Sequence, residues 1–206
     1  PHTHAVIGDR ALGAEPMRVA ALGRAILDGL RDGGVVGVMK HIPGHGRAMA
    51  DSHLELPVVD ADAAALDIDI APFERLNDAP MAMTAHVVYT AWDAARCATL
   101  SPVVIERIIR GRIGFDGLLM SDDIDMKALS GTPAEKARQS IAAGCDVVLD
   151  CWGRMDEMTA IAAALDEIAP EAKRRLDAAM ATVAAPVAGA GLAELSDKRG
   201  ALLAYA

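Results

Sequence analysis

The chain contains the stretch Gly117-Leu118-Leu119-Met120-Ser121-Asp122-Asp123, a short apolar run that ends abruptly in polar side chains. Three more apolar runs end in the same way: residues 35–39 are followed by Lys40 and His41, residues 81–85 by His86, and residues 145–149 by Asp150. Short apolar runs of this kind are typical of parallel strands that are buried on both faces. Polar residues at the C-terminal ends of successive strands favour a TIM (β/α)8 barrel over a Rossmann-like sheet, whose GxGxxG fingerprint is absent from the sequence. We therefore predict an α/β fold of the TIM-barrel class.

Amphipathic helical patterns separate the apolar runs. The first covers residues 15–31 and is closed by two glycines, and the second places its apolar residues on one face between residues 66 and 76. Ser101 followed by Pro102 predicts the start of a third helix, and the capping box in residues 132–135 opens a fourth helix that ends at Gly144. Two further patterns lie around residues 155–168 and 176–183. The sequence contains no low-complexity tract or linker, which predicts a single domain.

The length of 206 residues is short for this architecture. A (β/α)8 barrel needs about 250 residues, and the four predicted strands make half of one. The first residue is also Pro1 rather than a methionine. We therefore expect residues 1–206 to be one (β/α) barrel domain that lacks its first strands and is incomplete at its N-terminus. Residues 185–206 are expected to be a weakly structured C-terminal segment.

Composition excludes several classes of protein. The formal net charge of −9 argues against a nucleic-acid partner, because nucleic-acid-binding domains usually carry a basic surplus. No apolar stretch approaches the roughly 18 residues that a membrane span needs, so no membrane partner is expected. Cys97, Cys145 and Cys151 are an odd number without CxxC spacing, which is typical of a reducing compartment. The sequence therefore predicts a cytoplasmic protein.

Titratable groups are concentrated in residues 40–53, a stretch that reads Lys-His-Ile-Pro-Gly-His-Gly-Arg-Ala-Met-Ala-Asp-Ser-His. Its proline and glycines predict an irregular loop, and three interpretations are open. The loop is a solvated connection, or a metal site that uses His41, His45, His53 and Asp51, or an acid/base site. The third interpretation uses spacing: Asp51 and His53 lie two residues apart, so in an extended loop the carboxylate can hold the imidazole. A histidine tuned in this way can donate and accept a proton near neutral pH.

Carboxylates are concentrated after the strand that ends at Met120, in the order Ser121-Asp122-Asp123-Ile124-Asp125. Three like charges this close repel one another, which favours a catalytic or ligand role for one of them. A capping role in the following turn accounts for Asp123 or Asp125. Asp122 is the first carboxylate after the apolar run, and we expect it to point toward the barrel mouth as a nucleophile.

These motifs resemble the β-N-acetylhexosaminidases of glycoside hydrolase family 3, the NagZ type that works in bacterial cell-wall recycling. The resemblance is carried by Val6-Ile7-Gly8-Asp9-Arg10, by residues 40–46 with Asp51-Ser52-His53, and by Gly114-Phe115-Asp116-Gly117 with Ser121-Asp122-Asp123. It runs from about residue 5 to residue 170. The segment from Lys40 to His53 is the most specific part of it.

The resemblance implies a role for each matched residue. Asp122 is expected to be the nucleophile, and His53, paired with Asp51, the general acid/base of a retaining, two-step glycosidase. Arg10, Lys40 and His41 match positions that bind sugar hydroxyls. No cofactor and no metal is expected, and the expected substrate is a small saccharide that contains N-acetylglucosamine, derived from peptidoglycan. His86 is open between a site residue and a packed structural histidine.

Other functions stay open at this stage. A neutral imidazole repels an anionic acceptor less than a carboxylate does, so a phosphorylase of the same family is the alternative enzyme. Family members have further barrel strands before residue 6, which leaves an inactive fragment, association with a missing N-terminal segment, or a non-enzymatic sugar-binding role as other outcomes. Few aromatic residues are present, which predicts a short site dominated by hydrogen bonds rather than a long polysaccharide cleft.

Overall fold

The centre of the structure is a parallel sheet flanked by helices. The computed structural model describes residues 7–183, 189 and 191–204. Four parallel strands pair in the order β1-β3-β5-β6, and two short strands, β2 and β4, form a second parallel pair. The strands are β1 (Val38–Ile42), β2 (Val58–Val59), β3 (Met81–Thr84), β4 (Val88–Tyr89), β5 (Leu118–Asp123) and β6 (Val147–Leu149).

Six α-helices are present among the described residues, of which the first five overlap predicted helical patterns and the sixth lies in the segment expected to be weakly structured. They are α1 (Pro16–Asp32), α2 (Ala63–Glu74), α3 (Pro133–Ala143), α4 (Met155–Ala164), α5 (Pro170–Ala181) and α6 (Leu192–Leu203). Thr132 and Glu135 form the predicted capping box at the start of α3. Gly144 ends that helix with a φ of 114°, and a side chain there would also collide with Ile105, so glycine is required twice over.

The predicted third helix has a different form from the expected one. Residues Val104–Arg112 form a π-helix, and Val104, Ile105 and Ile109 are its buried residues. The cap is as predicted, because the Ser101 hydroxyl accepts a hydrogen bond from the backbone N–H of Val104. Two short 3-10 turns, Gly8–Arg10 and Ala98–Leu100, complete the regular structure before β5.

Alternate residues of the strands pack into two separate apolar layers. In β5, Leu119 packs with the π-helix residues Ile105 and Ile109 on one face of the sheet. Leu118 and Met120 belong to a cluster with Leu176 of α5 on the other face. This alternation is the period of two that a strand imposes on its side chains, and it fixes which strand residues face which layer.

The parallel α/β architecture is confirmed, and the closed barrel stays a prediction. The main sheet is open among the described residues, with β1 and β6 at its edges. The single domain with missing first strands stays a prediction as well. Within residues 185–206, expected to be weakly structured, Leu192–Leu203 form a helix without buried residues. Lys198 and Glu194 form an i,i+4 ion pair that supports this helix locally. Residues 184–188, 190, 205 and 206 lie outside the described residues.

The amino ends of β5 and β6 are held by a buried charge network. The Asp146 carboxylate accepts hydrogen bonds from Arg110 at 2.8 Å, from Arg175 at 2.9 Å and from the backbone N–H of Leu119 at 2.8 Å. These contacts join the π-helix, α5 and the sheet at one point.

In the described part of the chain, no helix is long and apolar enough to cross a bilayer.

Candidate active site

Asp122 lies near the carboxyl end of β5, at an irregular point of the sheet. The pairing of β5 with β6 shifts register between Met120 and Asp123, so the chain is locally distorted where Asp122 stands. Its side chain is 15% exposed. Oδ1 accepts the backbone N–H of Asp123 at 2.8 Å, and Oδ2 lies 3.6 Å from Nε2 of His41. One carboxylate oxygen is therefore fixed by the main chain, and the other faces an imidazole.

His41 lies in β1 at a second distortion, where the pairing with β3 shifts register between Lys40 and Ile42. Burial lowers the pKa of His41 to about 4, and the positive charges of Lys40 and Arg10 act in the same direction, while Asp122 opposes them. The imidazole is therefore neutral at physiological pH. It can donate one hydrogen bond and accept another without neutralising the carboxylate beside it.

The residues expected to bind sugar line one cleft. Arg10, at the end of the first 3-10 turn, and Lys40 and His41, of β1, lie along a cleft of about 1240 Å³. Asp122, Asp51 and His53 are not among the described residues that line it. The cleft brings the predicted binding residues together on the β1 side of the sheet.

Asp51 and His53 form the pair that their spacing predicts. Nδ1 of His53 lies 2.8 Å from Oδ1 of Asp51, and the same oxygen accepts the backbone N–H of His53 at 2.9 Å. The expected extended loop is wrong in form: the N–H groups of Leu54 and Glu55 both donate to the carbonyl of Asp51, so the segment is a turn. An aspartate commonly bonds to the backbone two residues on, which explains why the turn brings both groups together.

The two predicted catalytic groups differ in their surroundings. His53 is 63% exposed, whereas Asp122 is largely buried. Within residues 7–183, His53 and Asp122 form no hydrogen bond or ion pair with each other. The structure therefore assembles the pair Asp51–His53 and the pair His41–Asp122 separately.

His45 lies beside His41, although from the sequence it is a candidate only as a metal ligand. Its ring lies 5.5 Å from that of His41 in an edge-on arrangement, and its buried Nδ1 has no hydrogen-bond partner among the described residues. Burial lowers its pKa, whereas the negative charges of Asp122 and Asp51, one from each pair, act to raise it. Its position four residues after His41 could have indicated that the two rings meet. Residues four apart meet on a helix, however, and Pro43 between them argues against a helix. No group of three or more His, Cys, Asp or Glu side chains in the described ranges is arranged to hold a metal.

His86 packs behind the site. It is fully buried, its Nε2–H donates to the carbonyl of Asp123 at 3.0 Å, and its Nδ1 lies 2.7 Å from the hydroxyl of Thr99. Burial lowers its pKa, so the ring is neutral. The contacts are those of a packed structural histidine that fixes the main chain next to Asp122.

The other carboxylates at the carboxyl ends of β5 and β6 differ from Asp122 in their contacts. Oδ1 of Asp123 accepts the backbone N–H groups of Asp125 and Cys151, which is the capping role expected for it. Asp125 forms an ion pair with Arg154 at 2.9 Å. Both carboxylate oxygens of Asp150 are buried without a hydrogen-bond partner in the described part of the chain. Of the clustered carboxylates, Asp122 is the one that lies beside His41.

Comparisons with known proteins show which family the chain resembles. The family model described as "Glycosyl hydrolase family 3 N terminal domain" matches residues 2–185. A beta-hexosaminidase of Chromobacterium violaceum is 45% identical over 166 residues, which are 78% of this chain and 46% of that protein. A beta-hexosaminidase of Nitrosospira multiformis is 40% identical over 151 residues, 71% of this chain and 43% of that protein. The chain thus spans about half the length of the curated relatives it matches.

Solved structures show the same likeness. NagZ from Neisseria gonorrhoeae, in complex with N-trifluoroacetyl-D-glucosamine, has a TM-score of 0.76 at 36% identity, over 86% of this chain and 52% of that one. A family 3 beta-N-acetylglucosaminidase from Paenibacillus sp. has a TM-score of 0.79 at 33% identity, over 92% of this chain and 39% of that one. Together with the match over residues 2–185, these likenesses show that the chain belongs to the glycosyl hydrolase family 3 N-terminal domain family.

Proposed function

We propose that this chain carries the catalytic centre of a retaining β-N-acetylhexosaminidase that releases terminal N-acetylglucosamine from peptidoglycan-derived saccharides. The observation that carries the proposal is the carboxylate of Asp122, held at the carboxyl end of β5 against the neutral imidazole of His41. The beta-hexosaminidases among its relatives support the choice of sugar.

In the first step, Asp122 attacks the anomeric carbon, and the glycosidic bond breaks as the new ester bond forms. Oδ1 is engaged by the N–H of Asp123, which orients the carboxylate. Oδ2 faces His41, whose neutral ring leaves the negative charge of the nucleophile intact. The departing oxygen takes a proton from the imidazolium of His53.

In the second step, water attacks the same carbon and gives its proton to His53, and the ester bond to Asp122 breaks. Asp51 accepts a hydrogen bond from Nδ1–H of His53, so Nε2 is the nitrogen available to the reacting oxygen. The carboxylate also stabilises the imidazolium that forms when His53 acts as base. The exposure of His53 supports this role, because the group must reach the glycosidic oxygen and then water.

Substrate recognition is assigned to the cleft. Arg10, Lys40 and His41 supply hydrogen-bond donors that match sugar hydroxyls and the acetamido carbonyl.

A cytoplasmic, bacterial location is part of the proposal, and its support is that Cys97, Cys145 and Cys151 are all unpaired.

The experiment is hydrolysis of p-nitrophenyl β-N-acetylglucosaminide by the full-length protein, with the β-glucoside as the matched control. We expect turnover of the first substrate, with the β configuration retained in the initial product as measured by NMR. No turnover would overturn the assignment, and an inverted product would overturn the double displacement.

A phosphate arm tests the alternative enzyme. The observation that favours a phosphorylase is that the expected acid/base is an imidazole, which does not repel phosphate as a carboxylate does. The same assay is run with and without inorganic phosphate. Sugar 1-phosphate as the main product would replace the hydrolase with the phosphorylase, and its absence removes that alternative.

A further inference from the structure

Tyr89 is a buried aromatic residue whose hydroxyl reaches the turn after β1. The residue is 2% exposed, and its Oη–H donates a hydrogen bond to the carbonyl of Gly44 at 2.5 Å. Burial raises the pKa of the Tyr89 hydroxyl, so it stays protonated and acts as the donor. A phenylalanine would fill the same space in the core, so the contact with Gly44 is what the hydroxyl adds.

Gly44 belongs to the turn that carries two histidines of the candidate site. It lies between His41 and His45, and all three residues line the cleft. The N–H of Gly44 donates to the carbonyl of His41 at 2.8 Å, which closes the turn. The φ of Gly44 is 136°, a conformation that side chains rarely allow, so the turn requires glycine. A shift of Gly44 is therefore passed to His41 along a short stretch of main chain.

The pairing of β1 with β3 skips His41. Lys40 and Ile42 on either side of it have partners in β3, whereas His41 falls at the register shift and has none in that ladder. Its Nε2 nevertheless lies 3.6 Å from Oδ2 of Asp122. Strand pairing therefore fixes the neighbours of His41 but not His41 itself, which leaves the turn at Gly44 to hold it.

Tyr89 is itself held in the core. It lies in β4, where it pairs with Val59 of β2. The ring of Trp92 lies 5.0 Å from its own ring, and Leu66 of α2 belongs to the same apolar cluster. Because interiors are close-packed, a ring surrounded in this way places its hydroxyl at one point. A donor in a fixed position can hold the carbonyl of Gly44 in place.

We propose that Tyr89 is a positioning residue, which holds the imidazole of His41 against Asp122 through its hydrogen bond to Gly44. The inference rests on the proposed function for its effect on rate and extends the site to a residue behind the cleft. The Tyr89 hydroxyl contacts the main chain of the turn rather than the side chain of His41 or Asp122. A displacement of about 1 Å at a site costs about a hundredfold in rate, so a smaller drift of His41 is measurable.

The test is a double-mutant cycle on the full-length protein, with p-nitrophenyl β-N-acetylglucosaminide as the substrate. In the wild-type background, Tyr89→Phe is expected to lower kcat/KM about tenfold. In the His41→Ala background, the same change is expected to cost less than about twofold, because the group through which it acts is gone. The same fractional loss in both backgrounds, or no loss in the wild-type background, would overturn the proposal.

Asn77→Ala is the matched control. The Asn77 side chain also donates to a main-chain carbonyl, that of Ile113 at 3.1 Å, but the two residues precede β3 and β5 and lie toward the amino ends of the strands. Its kcat/KM is expected to match that of the wild type. A tenfold loss in this variant as well would assign the effect of Tyr89→Phe to general stability and overturn the positioning role. An ion pair between Arg47 and Asp69 ties the same turn to α2, so Tyr89→Phe is expected to fold.

A spectroscopic readout separates this proposal from the proposed function, because it needs no turnover. NMR of protein with isotope-labelled histidine follows the titration of His41, whose signal is identified by its loss in His41→Ala. Burial is the largest cause of the lowered pKa of His41, about 4, so a ring freed from its place in Tyr89→Phe is expected to titrate at a higher pH.

If the wild type hydrolyses nothing, the proposed function fails, and the titration still decides the role of Tyr89. A pKa of His41 that rises in Tyr89→Phe and not in Asn77→Ala supports the positioning role. An unchanged pKa in Tyr89→Phe, or the same rise in Asn77→Ala, overturns it.

Discussion

Buried carboxylates stand at both ends of the main sheet, in opposite surroundings. At the amino ends of β5 and β6, Asp146 is 6% exposed and is paired with the guanidinium groups of Arg110 and Arg175. At the carboxyl ends, Asp122 is also largely buried, but it faces the neutral imidazole of His41. The charge of Asp146 is compensated by two cations, whereas the neutral ring of His41 does not compensate the charge of Asp122. In parallel α/β folds the amino end serves stability and the carboxyl end serves chemistry, and here the division is visible in the partners of two aspartates.

The largest effect is expected for Asp122→Asn. If this carboxylate is the nucleophile, kcat/KM falls by about 10⁴-fold or more, because no covalent intermediate forms. The thermal midpoint is expected to change little, since the amide still accepts the N–H of Asp123 and loses only a contact with a neutral ring. Hydrolysis assays and thermal unfolding of the same preparation measure both. Activity close to that of the wild type would remove Asp122 from the mechanism.

The matched change at the other end is Asp146→Asn. It leaves the partly buried Arg110 without the carboxylate that it contacts, and it leaves Arg175 with its contacts to Asp116 and Glu171 alone, so the free energy of unfolding should fall by about 3–5 kcal/mol. Below the unfolding transition, kcat/KM per folded molecule should stay that of the wild type. Asp116→Asn is the control, because Asp116 is exposed and pairs with Arg174 and Arg175 at the surface, where about 1 kcal/mol or less is expected. Equal losses in the two variants would contradict the contrast between the ends.

The acid/base assignment is tested by His53→Ala. With unactivated saccharides, kcat/KM should fall by about 10²–10⁴-fold. Substrates with a dinitrophenyl leaving group need little protonation, so they should still form the glycosyl-enzyme and show a burst of phenol followed by slow turnover. Stopped-flow absorbance distinguishes the burst from the steady rate. The same loss on both kinds of substrate would mean that His53 is not the acid.

The smallest effect concerns pH and stability. The pKa of His41 is lowered to about 4 in the folded chain, from an ordinary value near 6.5. Between these values the unfolded chain binds more protons than the folded chain, so stability should decrease as the pH falls from 6.5 toward 4. The lowered pKa values of His45 and His86 act in the same direction.

Denaturant titration at several pH values measures this slope. His41→Gln should flatten it by about 1–3 kcal/mol over the window, because the glutamine does not titrate. A slope identical to that of the wild type would show that His41 is not held neutral by burial.

The apolar strands could be predicted from the sequence, but their polar ends could not. The run 117–120 predicts a strand, and the structure extends it through Ser121, Asp122 and Asp123. The run 35–39 predicts the first strand, which is found at Val38–Ile42 with Lys40 and His41 inside it. A prediction from apolar patterns ends a strand at its first charged residue. Strands that lead into a candidate site continue through such residues, as β1 and β5 do. The two-residue strands β2 and β4 are too short to give any pattern.

The candidate site was predictable where its contacts are local. Asp51 and His53 are two residues apart, and their contact follows from the spacing alone. The approach of His41 to Asp122 joins residues 81 positions apart. Such contacts are set by the pairing of β1, β3 and β5. The sequence therefore indicates which residues are candidates, and the pairing of the strands determines which of them are in contact.

The contact of His86 with the carbonyl of Asp123 gives the candidate site a buried supporting layer. Thr99 is buried behind that imidazole and is not among the described residues that line the cleft, and its hydroxyl contacts Thr84 and His86. A displacement of about 1 Å in a reacting group costs about a hundredfold in rate. If the proposed function is right, a substitution at Thr99 that moves His86 would leave every residue of the cleft in place and still slow the reaction, so the rate depends on a buried threonine that contacts no residue of the cleft lining directly in its hydrogen bonds.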